Sequence, residues 1–484
     1  MTAGRLLAAF VLLVLMTGCS PLAEPRGALG AVAHLEVGPN YERPAVNVPQ
    51  EFRNQVGPAE AASLADLPWW DVFGDPKLQG LIRSALENNY DLQTAIARVE
   101  QFRAQVGVAA SELYPQVGYQ GQAAREKTFV PIGTKGNPTI NVFSGLFNVA
   151  WEIDVWGRIR RSTEAARANF LASEDAHRGV VLTLVSDVAT AYFELLELDR
   201  ELEIARASAE TYQRTLDLFT QRYQGGTDTK ISTSRAEASL ASSLATIAVL
   251  ERQIVQQENT ISQLVGSNPE AIERGTPLVA QSMPATPPGL TTDVLKRRPD
   301  VMQAEHNMVS ANAQIGVAVA NFFPTIGLSA LYGGESPKIG DIVKNSFSVW
   351  NIAGNVSGPV FQGGRLVEQY NAQKAFWDES IAQYKGTIVQ SFHEVSDALT
   401  AQKKLVEQRA AQERQVAALE QAVDLSLLRY RTGLANYFEV LEAEQQLYPA
   451  EDALAQARRD QLLAVVSLYK ALGGGWQTNA AQQP

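Results

Sequence analysis

"DLQTAIARVEQFRAQVGVAASELYPQVGYQG" runs from Asp91 to Gly121, and "DVMQAEHNMVSANAQIGVAVANFFPTIGLSA" runs from Asp300 to Ala330. Ala95, Gln105, Gly107, Ala109 and Pro115 of the first find Ala304, Gln314, Gly316, Ala318 and Pro324 in the second, at one constant offset. The order is kept further along. "NVAWEIDVWGRI" from Asn148 answers "NVSGPVFQGGRL" from Asn355, with Gly157 and Arg158 on Gly364 and Arg365. "RYQGGTDTKISTSRAEASL" from Arg222 answers "RYRTGLANYFEVLEAEQQL" from Arg429, and "LVG" ending at Gly266 falls on "ALG" ending at Gly473. Matches kept in order over this distance mark an internal duplication. The chain then divides into residues 1–18 as a signal, 19–90 as a tether, 91–266 as a first repeat, 267–299 as a linker, 300–473 as a second repeat and 474–484 as a tail.

Each repeat reads as helix, two strands, long helix, reversal, helix. From Ile159 to Tyr223 a stripe of Leu184, Val188, Ala191, Leu195, Leu198, Leu202, Ala205, Ala209, Tyr212, Leu216, Phe219 and Tyr223 steps alternately by four and three. That is a coiled-coil seam. The counterpart from Arg365 to Tyr430 is less regular but keeps Val416, Leu419, Val423 and Tyr430. A helix of about 65 residues spans roughly 95 Å and needs partners along its length. Asp91–Leu113 stacked on Ile231–Val265, and Asp300–Phe322 on Asn436–Lys470, would each supply a partner of about that length. Gly226 and Gly433 permit the sharp turn at each reversal.

The strand segments decide where the protein resides. Phe143, Gly145, Phe147, Val149, Trp151 and Ile153 alternate with Ser144, Leu146, Asn148, Ala150, Glu152 and Asp154. The mostly apolar face of this period-two pattern suits lipid; the alternative is a hairpin half-buried on a periplasmic domain. Four strands cannot span a bilayer alone, because every backbone N–H and C=O in lipid must be paired within a closed sheet. Bacterial barrels begin at about eight strands, so several copies must pool theirs. The residues derive oligomerisation but not its number.

Composition excludes other classes. A net charge of -11 argues against nucleic-acid binding. The four histidines, His34, His177, His306 and His393, have no metal-ligand spacing, and five methionines offer no soft-metal relay. No Ser/His/Asp arrangement, phosphate-cradling glycine loop or cysteine pair points to an enzyme. Arg5, the apolar run "LLAAFVLLVLMTG" and the single Cys19 read as an export signal whose cysteine is acylated to become the mature N-terminus. An ordinary cleaved signal with a chance cysteine is the alternative.

"VGPNYERPAVNVP" from Val37, "WWDVFGDPKLQGLI" from Trp69, "RRPDVMQAEHNMVSANAQIGVAVANFFP" from Arg297 and "LYKALGGGW" from Leu468 resemble the outer membrane factor family of TolC-like channels, in its acylated OprM- and NodT-like branch. The resemblance covers nearly the whole mature chain. It implies a mainly α fold with a membrane β part. Three copies would form a twelve-stranded outer-membrane barrel above a periplasmic α-barrel of twelve helical strands, belted by Tyr41–Asp75, Asn268–Arg298 and the tail after Gly473. It also implies a covalent diacylglycerol and N-acyl chain at Cys19, and Ser20 favours the outer membrane. The expected function is a passive conduit for small-molecule efflux, with a periplasmic adaptor and an inner-membrane pump of the RND or a related type as partners and no cofactor beyond the lipid.

In the second tip, positions matching Glu439 and Glu442 line the gate in family members, beside an apolar one matching Phe438. The first tip carries Ile231, Ser232 and Arg235 there, and Arg235 is expected to pair with a neighbouring Glu and hold the tips shut. Arg222, Tyr223 and Gly226, with Arg429, Tyr430 and Gly433, would offer the adaptor its docking surface. A plain helix-ending turn and a solvated coiled-coil face are the structural alternatives. Two other functions stay open: a type I protein-secretion channel, and a lipid-tethered periplasmic coiled-coil scaffold.

Overall fold

The computed structural model describes residues 36–52, 64–68, 72–127, 139–283 and 291–474. Cys19, the signal segment and the tail beyond residue 474 lie outside them. The elements are α1 (Pro76–Asn88), α2 (Tyr90–Ser111), β1 (Gln116–Lys127), β2 (Thr139–Ile153), α3 (Arg158–Gln224), α4 (Lys230–Leu264), α5 (Thr291–Arg297), α6 (Pro299–Ala320), β3 (Thr325–Ser336), β4 (Ser348–Ser357), α7 (Arg365–Arg431) and α8 (Tyr437–Ala471), with short 3-10 turns between. The described residues form two compact units, one drawn from 36–40, 108–164 and 312–374 and one from 41–107, 165–311 and 375–474.

The first unit holds the strands and the helix turns adjoining them in sequence. The four strands form one antiparallel sheet in the order β1-β2-β3-β4. Its register sets Tyr119 beside Phe147, Phe147 beside Tyr332 and Tyr332 beside Trp350, so one aromatic row crosses every strand. All four rings are exposed. Because side chains alternate faces, Val117, Val149, Ala330 and Ile352 form the adjacent row of the same face. The opposite face is largely polar, with Gln120, Gln122, Asn148 and Asn351. Among the described residues the α-helices join the sheet at one end. At that rim Asp154 caps α3 by accepting from the Ile159 and Arg160 amides at 3.0 and 2.9 Å, and Arg158 reaches Glu152 at 2.9 Å and Glu112 at 3.1 Å.

The second unit is helical. α3 and α7 are each 67 residues long, about 100 Å at the α-helical rise. The seam expected on α3 is buried at Leu184, Val188, Ala191, Leu195, Leu202, Ala205, Ala209, Tyr212 and Phe219. Tyr223, its last member, is 46% exposed, because the helix ends one residue later. On α7 Val416 is buried, but Val389, Val406, Leu425 and Leu428 are exposed.

The shorter helices abut end to end through one side chain in each repeat. Asn89 accepts from the Leu92 amide at 2.9 Å, capping α2, and its Nδ2 donates to the Leu264 carbonyl at 2.9 Å, closing α4. At the equivalent position Arg298 binds Asp300 on α6 and donates to the Ala471 carbonyl of α8 at 3.1 Å. Different residues satisfy the same orphan groups of two helix ends. Asp75 caps α1 through the Lys77 amide at 2.8 Å, and its other oxygen accepts from Tyr192 Oη at 3.0 Å, the Thr276 amide at 2.8 Å and Gln281 Nε2 at 2.9 Å. Burial alone would raise its carboxyl, but these donors outweigh it and hold the group below the usual aspartate value. Gly275 is needed beside it, since a Cβ there would lie 2.2 Å from the carboxylate.

Candidate functional site

Both helical hairpins reverse in the same way. α3 ends where the Thr227 amide donates to the Arg222 carbonyl at 2.9 Å and the Gly226 amide to Tyr223 at 3.0 Å. α7 ends where Leu434 donates to Arg429 at 2.9 Å and Gly433 to Tyr430 at 3.1 Å. These paired bonds are Schellman turns, and they place the glycine in the left-handed region, with φ of +73° at Gly226 and +77° at Gly433. The following helices start with Thr229 and with Asn436 at their N-caps. Asn436 accepts from the Phe438 amide at 2.9 Å.

The two reversals pack on one another around a shared aromatic cluster. Phe219 and Tyr437 meet edge to face at 5.0 Å, Tyr430 and Tyr437 at 5.0 Å, and Tyr212 and Tyr448 at 5.8 Å. Val440, Leu441 and Ala236 fill the remaining space. Such ring pairs add about 0.5–1.5 kcal/mol each beyond their burial.

The residues singled out in the sequence surround this cluster, and cation–ring contacts tie the reversals together. The Arg222 guanidinium lies 5.1 Å from the Tyr430 ring, so the first reversal grips the second. Lys230 lies 5.9 Å from the Tyr223 ring, within its own hairpin. Arg235 lies over Phe438 at 5.5 Å. Within the chain, then, Arg235 covers the apolar residue of the second tip rather than an acid, because α4 brings it level with the first turn of α8. Glu439 instead pairs with Arg429 at 3.3 Å. Both partners are half-exposed, so the pair contributes at most about 1 kcal/mol. Glu442 lies exposed one turn along from Glu439, and Phe438 is also exposed. The tip thus presents an aromatic ring followed by two carboxylates, flanked by Arg222, Lys230 and Arg235.

Glu444 was not singled out and belongs with this group. It is 3% exposed, it faces Tyr212 and Arg214 of α3 with Tyr437 and Tyr448 of its own helix, and its Oε2 has no hydrogen-bond partner. Burial pushes its carboxyl up to about 7, with the Arg214 charge pulling back. The signal was present: Tyr437, Val440, Leu441 and Tyr448 form an apolar stripe on α8, and Glu444 occupies the remaining place in it.

Among the described residues no group of three or more His, Cys, Asp or Glu is arranged to hold a metal ion. What the arrangement offers is an exposed aromatic ring and two carboxylates beside a pair of glycine-bearing helix reversals.

Comparison with known proteins gives one consistent answer. Residues 81–267 and 290–474, one segment in each repeat, match the family described as Outer membrane efflux protein. The chain is similar to the toluene efflux pump outer membrane protein TtgC of Pseudomonas putida, 33% identical over 454 residues that cover 92% of this chain and 94% of that one. It is likewise similar to the cation efflux system protein CusC of Escherichia coli (strain K12), 32% identical over 450 residues, 92% of this chain and 97% of that one. The solved open state of the MtrE outer membrane channel of Neisseria gonorrhoeae superposes with a TM-score of 0.81 at 31% identity, over 91% of this chain and 99% of that chain. A duplicated frame of strand pairs and long hairpins, matched along both halves, belongs to the outer membrane efflux protein family.

Proposed function

We propose that the protein is the outer-membrane channel of a tripartite export system, a passive conduit that carries small toxic compounds out of the cell. One observation carries this reading. The sheet has one apolar, aromatic-crossed face, yet among the described residues β1 and β4 are each paired on one side only. In lipid those two edges demand partners, and the complementary edges are on further copies of the same chain. Three copies give twelve strands. The exposed Val389, Val406, Leu425 and Leu428 of α7 support the same assembly, since a neighbour's helices would cover them. The similarity to proteins named for toluene and cation efflux favours small solutes over secreted proteins as cargo, and no relative's substrate is carried over by name.

In this reading Cys19 carries the diacylglycerol and N-acyl chain that anchor the protein in the outer membrane. Phe438, Glu439 and Glu442 ring the periplasmic mouth, where three copies of two acids focus the field on cations. Arg235 holds Phe438 inward while the mouth is closed. Arg222, Tyr223, Gly226, Arg429, Tyr430 and Gly433 form the face on which a periplasmic adaptor docks beneath an inner-membrane pump of the RND type. The protein supplies no energy and performs no chemistry; splaying of the tips opens the path. Planar-bilayer recording on the purified full-length protein, with its oligomeric state followed by heat-sensitive migration, tests this. The expected result is a stable trimer with discrete conductance steps. A lipid-embedded monomer without conductance would refute it.

A further inference from the structure

The outward-facing rows of the sheet continue past the apolar band. On β1 the alternation that puts Val117 and Tyr119 on the apolar face also puts Gly121, Ala123, Arg125 and Lys127 there, while Gln120, Gln122 and Glu126 face the other way. Arg125 is level with Asn141 and Lys127 with Thr139 of β2. The apolar residues of that face on β2 extend from Ile153 to Phe143, about 33 Å along a strand. At a strand tilt of about 40° this is roughly 25 Å of height, which is the thickness of an outward apolar band. Arg125 and Lys127 therefore emerge just beyond the band, at the end of the sheet away from the helices. Both are exposed, and neither has an ion-pair partner among the described residues.

Two comparisons within the same unit make this distribution informative. At the helix-side rim the cations are neutralised: Arg158 binds Glu152 and Glu112, and Arg160 binds Asp154 at 3.2 Å. At the far rim Lys344 pairs with Asp341 at 2.6 Å in the loop after β3, but the charges carried by the strands are sorted by face. Glu126 and Glu335 alternate to the polar side, leaving Arg125 and Lys127 with the neutral Asn141, Thr139 and Ser336 on the apolar side. Lys338, exposed in the turn after β3, adds a third cation at this end. An apolar surface that terminates in unneutralised cations is complementary to a lipid whose acyl chains lie along the band and whose headgroup is anionic. Arginine's fork matches phosphate oxygens, and lysine adds a point charge.

We propose that Arg125 and Lys127 bind the phosphate groups of a phosphorylated lipid headgroup in the leaflet that faces away from the helices, fixing the depth of the barrel in the membrane. This rests on the membrane-barrel reading above. The test uses full-length protein in detergent and native mass spectrometry, with bisphosphorylated lipid A, its dephosphorylated form and inorganic phosphate as separate probes. Wild type should hold the bisphosphorylated lipid roughly 30-fold more tightly than an Arg125→Ser, Lys127→Ser double variant, at about fivefold for each cation. The dephosphorylated lipid should bind both proteins alike. The single variants Arg125→Ser and Lys127→Ser should each lose about fivefold, and they decide the matter if the double variant does not assemble. Equal affinity of wild type and the serine variant for the bisphosphorylated lipid would overturn the proposal, as would inorganic phosphate displacing that lipid at matched concentration. Wild-type protein that inserts and conducts but shows no preference refutes this inference alone, whereas failure to insert refutes the barrel reading too.

Discussion

Replacing Glu444 with Gln isolates the electrostatics of the tip. The native carboxyl titrates near 7 because it is buried among Tyr212, Tyr437 and Tyr448, whereas an unfolded glutamate titrates near 4.5. Between those values the native state holds a proton that the unfolded chain has released. Stability of the tip packing is therefore full below about pH 4.5, declines as pH rises toward 7, and levels off above it. The difference of about 2.5 pH units corresponds to about 3 kcal/mol. Glutamine keeps the shape and cannot ionise. At pH 8 the variant's tip should resist opening by up to about 3 kcal/mol more than wild type, on the order of a hundredfold in protection, with little difference near pH 4.5. Hydrogen exchange read by mass spectrometry on peptides spanning residues 205–224 and 430–448, corrected for intrinsic exchange, measures this locally without requiring reversible unfolding. Parallel pH profiles for wild type and variant would refute the reasoning. So would a wild-type tip that tightens as pH rises.

Other outcomes follow from the same geometry. Asp75→Asn should lower thermal stability at pH 7 by about 3 kcal/mol, because a charged acceptor of several buried hydrogen bonds is lost. The deficit should shrink in acid as the wild-type carboxyl protonates below its ordinary 3.8, and a pH series of melting temperatures reads both effects. Gly433→Ala and Gly226→Ala meet no atom within 4 Å, so their cost is the left-handed backbone alone, about 1–2 kcal/mol each. Limited proteolysis should cut the altered tip faster, and unchanged cleavage would argue against the strain. Glu439→Ala with Glu442→Ala should weaken divalent-cation block of conductance severalfold; unaltered block would remove both from the mouth.

Much of the fold was legible because it comes from short-range periodicity. The four-three stripe on α3 reports a helical seam, the period-two run on β2 reports a strand with one apolar face, and Gly226 and Gly433 report left-handed turns. Each depends on residues within a turn or two of one another. The helix ends read from the sequence fall within one or two residues of those observed. The duplication is legible for another reason: the two copies are compared residue by residue along the chain, with no contact between them required.

The candidate site was legible only in outline. Phe438, Glu439 and Glu442 were singled out because the resemblance matches them to gate-lining positions, and the two acids share one helical face. That Glu439 meets Arg429 and that Arg235 lies on Phe438 depends on two hairpins meeting, which no local pattern encodes.

By itself, then, the sequence determined the repeat, the seams, the strand faces and the turns, since backbone preference and side-chain spacing act between near neighbours. Only the tertiary structure decided that Asn89 and Arg298, chemically unlike, close equivalent helix joints, that Asp75 gathers Tyr192, Thr276 and Gln281, and that Glu444 is shut among tyrosines. Desolvation and hydrogen-bond satisfaction are set by segments that lie far apart in the chain and meet only on folding.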